Sequence, residues 1–309
     1  MSSPLVYIVI LNYKNYPDTI DCVESVEKII YPNYRIVIVD NNSGNGSEEI
    51  LRKEFPHHVF IQTGTNRGYA AGNNAGIRLA MEERADYVLI LNNDTIATPY
   101  FLEKLVDYAE ENLDAGLLGP KIITGTGELD TTCARRRPSL SDYFWRLGPG
   151  KWILPRNRWI KAHYYTGEYD FRDVKKVDVI SGSCMLIRSR LLPEIGLLDE
   201  NTFLFLEEFI LHERIRRTKY HTVIVPTSRI IHKGHGSVGK RKLFSLWISL
   251  KSLRYYLLNH RRFGKCSVIF AISSVGIREA AGILRLYIKA FLQSITTFRN
   301  IRKKERRII

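Results

Sequence analysis

Arg35-Ile36-Val37-Ile38-Val39-Asp40-Asn41-Asn42-Ser43-Gly44 is a strand-length run of branched aliphatics that stops at a polar turn. Because it is apolar at consecutive rather than alternate positions, it reads as a strand covered on both faces. Residues 6–11, 59–62, 87–91 and 116–119 carry the same signature, rich in Val, Ile and Leu. Between these runs, residues 18–29, 47–55, 71–83 and 100–112 space apolar side chains three and four apart. Strand and helix alternating in this way predict βαβ units and an α/β fold, doubly wound in appearance, with a mostly parallel central sheet flanked by helices. In such sheets ligands bind outside the carboxyl ends of the strands. Three of those ends are polar clusters: Asn12-Tyr13, Asp40-Asn41-Asn42-Ser43-Gly44 and Asn92-Asn93-Asp94-Thr95. Any one of them is ordinary turn chemistry; all three at successive strand ends mark a functional rim.

The 309 residues suffice for one large domain plus an appendage, since single cores stop growing at about 250–300 residues. Four cysteines, Cys22, Cys133, Cys184 and Cys266, lack metal-ligand spacing and read as free thiols of a reducing compartment. The apolar run 5–11 has neither a basic segment before it nor a small-residue cleavage site after it, which predicts a buried strand rather than a signal peptide. The net charge of +14 is unevenly spread. Residues 240–309 hold seventeen Lys and Arg against two acids, Glu279 and Glu305, a local balance of +15 that leaves the rest near neutral at −1. A neutral body with a basic tail fits a polyanionic surface touched by the tail alone, either anionic lipid or nucleic acid. Nucleic acid is disfavoured, because the rim clusters would then have no purpose.

Residues 124–176 lose the rhythm and hold Arg135, Arg136 and Arg137, then Trp145, Trp152 and Trp159. This stretch reads as an irregular excursion on the acceptor side of a site, its aromatic faces suited either to sugar rings or to packing on the body. Regularity returns with a strand over 177–187, a helix over 207–218 and a strand over 222–225. Beyond residue 239 two basic amphipathic helices are predicted, 243–259 and 268–298, the first with Leu243, Leu246, Trp247, Leu250, Leu253, Leu257 and Leu258 as its apolar positions. Such helices suit an anionic membrane interface or a partner subunit. The longest uncharged run, 266–277, is short of the roughly 20 residues a bilayer span needs, so peripheral attachment is expected over a spanning helix. The division is therefore 1–239 for a catalytic domain and 240–309 for an associating region.

Four segments in order carry a family resemblance: Val9-Ile10-Leu11-Asn12-Tyr13, Ile38-Val39-Asp40-Asn41-Asn42-Ser43, Asn66-Arg67-Gly68-Tyr69-Ala70-Ala71-Gly72-Asn73-Asn74 and Leu91-Asn92-Asn93-Asp94-Thr95. Together they resemble glycosyltransferase family 2, and within it the rhamnosyltransferase-like enzymes that build bacterial surface polysaccharides. The likeness runs from about residue 5 to 237, apart from the irregular excursion. It implies the GT-A fold and transfer of a sugar from a nucleotide-diphosphate-sugar, a UDP- or dTDP-sugar, to a hydroxyl of a saccharide or lipid-linked saccharide acceptor. A cytoplasmic chain, peripheral on the inner face of the plasma membrane, follows from that acceptor and the tail. A homo-oligomer, the donor sugar and the linkage stay open.

Each motif has chemistry behind it. A nucleotide needs acceptors for its base and ribose, which Asp40, backed by Asn12 and Ser43, supplies; the resemblance gives Asp40 the base. Glycines in the 66–74 segment allow close backbone approach and lead into a helix whose first amides favour phosphate oxygens. Asn42, Asn66, Gly68, Asn73, Asn74, Asn92 and Asn93 complete the donor set. Asn92-Asn93-Asp94 stands where the family has Asp-x-Asp, so Asp94 is expected to hold Mg²⁺ or Mn²⁺ against the diphosphate. An inverting transfer needs a base, and Phe203-Leu204-Phe205-Leu206-Glu207-Glu208 resembles the family segment whose second acid has that role, pointing to Glu208 with Glu207 beside it. The family's next acid is Ile210 here. Ile230-Ile231-His232-Lys233-Gly234-His235-Gly236-Ser237 resembles the closing motif, with His232 as a second metal ligand and Lys233, His235 and Ser237 on phosphate oxygens. The thinned Asp-x-Asp keeps an alternative in view, a catalytically weak or inactive subunit that binds nucleotide-sugar or a partner transferase.

Overall fold

The apolar runs form the strands they predict. In the computed structural model, which describes residues 3–153, 169–234 and 242–305 (side chains of the last stretch through Arg285), β1 (Val6–Asn12), β2 (Tyr34–Asp40), β3 (Val59–Gln62) and β4 (Tyr87–Asn92) lie in the order β3-β2-β1-β4, all parallel. The crossovers are α1 (Tyr16–Val26), α2 (Ser47–Glu54) and α3 (Tyr69–Glu82). Register sets Asn12 beside Asp40 and Leu11 beside Asn92, so the three polar strand ends stand in one row. Helix α3 lies unusually close to the sheet. A Cβ on Gly72 would come within 2.5 Å of Leu11, and one on Gly76 within 2.5 Å of Val9, so only glycine lets the helix settle there.

Beyond β4 the sheet becomes mixed. It continues through β5 (Thr95–Ala97), α4 (Phe101–Glu111) and β6 (Ala115–Thr124), then leaves for a two-residue strand β7 (Ala134–Arg135) and α5 (Leu140–Trp145). The single strand expected over 177–187 is instead β8 (Lys175–Val177), β9 (Val179–Ile180) and β10 (Cys184–Arg188). The break is at Ser181-Gly182-Ser183, where the chain turns so that the Ser183 carbonyl accepts from the Asn92 amide. Strand β10 inserts antiparallel between β4 and β6, and β7 pairs with β9 in a ribbon of their own. Helix α6 (Glu207–Ile215) leads to β11 (His221–His232), which pairs in parallel with β6 and sets His232 opposite Thr95 of β5. Of the two register shifts between β11 and β6, one falls between His221 and Thr222 and the other between Val225 and Arg229, next to Pro226, whose missing N–H interrupts the ladder.

Helix α7 (Lys242–Tyr255), a π-helical turn (Tyr256–His260) and α8 (Lys265–Glu305) close the described chain. They do not hang free. Leu253, Tyr256, Leu257, Val268 and Ala271 form a second core with Tyr143 of α5, Val179 of β9, and Phe209 and Ile210 of α6. The apolar positions expected to share one face of α7 are split: Leu253 and Leu257 are buried, while Leu243 and Trp247 stay exposed together with Phe244. Within α8 the segment Lys265–Arg285 is long and apolar enough to cross a membrane by length and composition, beyond what its longest uncharged run suggests; a helix packed partly on a soluble body meets the same criterion.

Candidate active site

Asp40 ends β2 with 1 % of its surface exposed, and four protein donors converge on its carboxylate. Asn12 Nδ2 donates to Oδ1 at 2.6 Å, Ser43 Oγ to Oδ1 at 2.5 Å, the Ser43 amide to Oδ2 at 3.0 Å and Gln62 Nε2 to Oδ2 at 2.9 Å. A carboxylate has about four acceptor sites, so a base can be read by Asp40 only if one of these donors gives way. Gln62, which also reaches Glu48, is the partner with somewhere else to go. From Asp40 the bonds run on: Thr19 Oγ1 donates to Asn12 Oδ1 at 2.9 Å, and Asn93 Nδ2 to Thr19 Oγ1 at 2.9 Å. The β2, β1 and β4 ends are thus tied by side chains.

Asp94 lies next in the chain, nearly buried, with Oδ1 3.1 Å from His232 Nε2. The bond to Asp94 raises the imidazole's affinity for its proton, against the lowering effect of burial. One hard oxygen and one imidazole nitrogen fit Mg²⁺ or Mn²⁺ that takes its remaining ligands from water and phosphate oxygens. Lys233 Nζ is held by Asp18 at 3.2 Å and Asp21 at 2.5 Å, which places it at the outer edge of α1. His235 and Ser237 lie outside the described residues, as does Trp159.

The second half of the rim is built by Tyr69, which stands inside the 66–74 segment but whose role no glycine or asparagine pattern there reveals. Its hydroxyl, within reach of two acceptors, lies 3.2 Å from Asn92 Oδ1 and 2.8 Å from the Gly182 carbonyl. Burial, then the charges of Glu207 and Glu208, raise its phenol well above the usual range, so it stays a neutral donor. Across Gly182 stands Glu208: Oε2 is 4.0 Å, and the Tyr69 hydroxyl 3.8 Å, from where a Cβ on Gly182 would sit. Glu208 Oε1 accepts from Arg135 Nη2 at 2.7 Å. Arg135 was foreseen only as part of a basic run; its pairing needed the β7–β9 ribbon to be known.

Several expected donor contacts have other duties. Asn74 Nδ2 donates to the Leu198 carbonyl and to Glu200, while its Oδ1 accepts from the Leu198 amide, which pegs α3 to the segment before α6. Asn73 is fully buried and donates to the Tyr69 carbonyl. Asn66 Oδ1 accepts from Asn41 and from the Gly68 amide, shaping the turn into α3, and Asn42 is exposed in a left-handed conformation. Gly68, at φ +99°, is pressed on the Phe203 carbonyl, which a Cβ would overlap. Phe205 and Leu206 then take φ of 74° and 72° directly before Glu207; two left-handed non-glycine residues in succession are strained, a state found mostly where function fixes the backbone. A cavity of about 310 Å³ lined by Arg67, Phe203, Phe244, Trp247 and Lys251 opens between this segment and α7, beside the rim rather than in it.

A mixed sheet with its polar strand ends gathered at one rim is the architecture of a nucleotide-sugar transferase. Residues 7–196 match the model of glycosyl transferase family 2. The chain belongs to that family and is a glycosyltransferase; Glu207, Glu208 and His232 lie beyond the matched span. It is 29 % identical over 232 residues to the N-acetylglucosaminyl-diphospho-decaprenol L-rhamnosyltransferase of Mycobacterium tuberculosis, covering 72 % of this chain and 74 % of that one. It is 25 % identical over 255 residues to the rhamnosyltransferase WbbL of Escherichia coli, covering 77 % and 89 %. Among solved structures, a mannosyltransferase of Pyrobaculum calidifontis in complex with GDP-Man and Mn²⁺ shares the GT-A fold with a TM-score of 0.56 at 15 % identity, over 96 % of this chain and 81 % of that one.

Proposed function

We propose that the chain moves a sugar, with inversion, from a UDP- or dTDP-sugar to a hydroxyl of a saccharide or lipid-linked saccharide during polysaccharide synthesis. The observation that carries this is the continuity of the rim: Asp40, Asn12, Thr19 and Asn93 lead to the Asp94–His232 pair, and Asn92, Tyr69 and Gly182 lead from there to Glu208. Groups far apart in sequence thus offer a nucleotide end, a diphosphate position and a carboxylate in one line. The rhamnosyltransferase relatives favour a deoxyhexose and a membrane-borne acceptor.

Glu208 Oε2, the oxygen not held by Arg135, takes the proton of the acceptor hydroxyl as its oxygen attacks the anomeric carbon. The bond from that carbon to the donor's phosphate oxygen breaks on the opposite face, and the nucleoside diphosphate leaves. Asp94 and His232 would hold Mg²⁺ or Mn²⁺, which when bound neutralises charge on that leaving group. Tyr69 orients Asn92 at the sugar end of the rim. Glu208→Gln keeps the shape and removes the base, so turnover falls at least about 10²-fold while donor affinity, read by calorimetry, is unchanged. A variant that turns over normally removes Glu208 from the mechanism. Wild-type chain that releases no nucleoside diphosphate from any donor with Mn²⁺ and acceptor would favour the binding-subunit alternative.

A further inference from the structure

Two carboxylates stand at the start of α6, and among the described residues only Glu208 has a cationic partner. Arg135 reaches Glu208 from β7, with the pair mostly withdrawn from solvent: their side chains are 21 % and 15 % exposed. The same guanidinium donates to the Ile180 carbonyl at 3.1 Å and lies 4.9 Å from the centre of the Phe209 ring. It is therefore fixed from three sides, by the β9 backbone, by an aromatic face on α6 and by the carboxylate itself. Strand β7 exists only as the partner of β9, with Arg135 in register with Val179, so the ribbon has the effect of holding this one side chain in place.

The two oxygens of Glu208 have different neighbours as a result. Oε1 is bound by Arg135, and Oε2 faces the space over Gly182 where Tyr69 also points. We propose that Arg135 is a positioning residue of the transfer: it pairs with Glu208 rather than Glu207, holds Oε1, and so turns Oε2 toward the acceptor. The proposal rests on the transferase reading with Glu208 as base. Among the described residues, the charged and titratable groups that the structure sets against Glu208 are Arg135 from β7, Glu207 from its own helix and Tyr69 from α3; Asp94 and Cys184 also bear on the Tyr69 phenol. Arg135 is the one cation of this set. Without it, Glu208 would keep Glu207 and the helix N-terminus as neighbours but lose the cation that holds Oε1.

The test compares Arg135→Met and Arg135→Lys in the full-length protein with donor and acceptor. Arg135→Met is expected to lower kcat about 10- to 100-fold with donor KM within about twofold of wild type, and to move the acid limb of the kcat/KM profile to higher pH by about one unit, since an opposite charge at this range is worth one or more. Arg135→Lys keeps the charge but not the fork, and is expected to keep the wild-type limb with a smaller loss of kcat. In the Glu208→Gln background the Met substitution should change residual turnover less than about twofold, because its effect acts through Glu208. An unmoved acid limb in Arg135→Met, or additive losses in the double variant, would overturn the proposal and leave Arg135 a packing residue. Where Arg135→Met does not fold by circular dichroism, the Lys variant decides: a lowered kcat with the acid limb at its wild-type position supports the proposal, and a wild-type kcat or a displaced limb overturns it. Failure of the transferase reading itself is seen separately, as absence of nucleoside diphosphate release by the wild type.

Discussion

Glu207 is 4 % exposed and, among the described residues, is met by the Thr202 hydroxyl at 3.4 Å and by backbone amides but by no cation, whereas Glu208 meets a guanidinium. Burial first, and then the charge of Glu208, push the Glu207 carboxyl up to about 8. At neutral pH Glu207 therefore keeps its proton, which accords with the proposal that the base is Glu208. The same difference sets a stability window. Between about pH 4.5, the ordinary value, and about pH 8, the folded chain holds a proton that the unfolded chain has lost, so stability is greatest below the lower limit and declines as pH rises through the window. Glu207→Gln copies the neutral form at every pH. Its urea midpoint should exceed that of the wild type by more at pH 8 than at pH 5; equal differences at the two values would mean that Glu207 is charged in the folded chain.

At the level of elements, the start of α3 is pressed on the segment before α6. The Tyr69 amide donates to the Phe203 carbonyl at 2.9 Å, and Gly68 lies flat on that carbonyl. Gly68→Ala would meet both a left-handed φ and a backbone atom that cannot swing aside, at a cost of about 1–3 kcal/mol. The denaturant midpoint should fall with the slope m unchanged, and kcat should fall with it because Tyr69 and Phe205-Leu206 lose their common support. A midpoint equal to that of the wild type would show that the two elements are not pressed together.

The long elements were legible in sequence and the short ones were not. Strands β1, β2 and β4 are buried on both faces along nearly their whole length, and such runs announce themselves by consecutive Val, Ile and Leu. Their polar ends followed from chain order alone. By contrast β5, β7 and β9 have two or three residues, too few for any period, and exist because neighbours offer open ladder groups. Arg135 and Tyr69 depend on those pairings: one is delivered by β7, the other meets the turn between β9 and β10. The split of α7 into a buried and an exposed apolar set was equally hidden, because Leu253 and Trp247 look alike until the second core is assembled.

For the molecule as a whole, charge and apolar surface coincide in the C-terminal region. The basic balance of +15 over residues 240–309 adjoins Leu243, Phe244 and Trp247 of α7 and Ile269, Phe270, Ile277 and Leu284 of α8, all exposed. That combination suits an interface with anionic lipid. The region is also latched to the catalytic side: Ser252 Oγ donates to the Leu204 carbonyl at 2.8 Å, and Asp199 is met by Tyr255, His260 and Arg214. Burial works to raise the Asp199 carboxyl, but the bonds from His260 and Asn201 and the Arg214 charge hold it well below the usual carboxylate range, so the latch stays ionised. The chain should therefore sediment with vesicles containing anionic phospholipid and not with neutral ones. Raising salt from about 0.1 M to 1 M shortens the screening length from about 10 Å to 3 Å and should release most of it, which inserted α8 would resist. Replacing Phe244 and Trp247 together by Ala should weaken vesicle binding about 10-fold or more, since each large apolar side chain is worth about 1.5–3 kcal/mol on burial. Binding that survives both high salt and this double substitution would instead assign the attachment to the Lys265–Arg285 segment as a membrane-crossing helix.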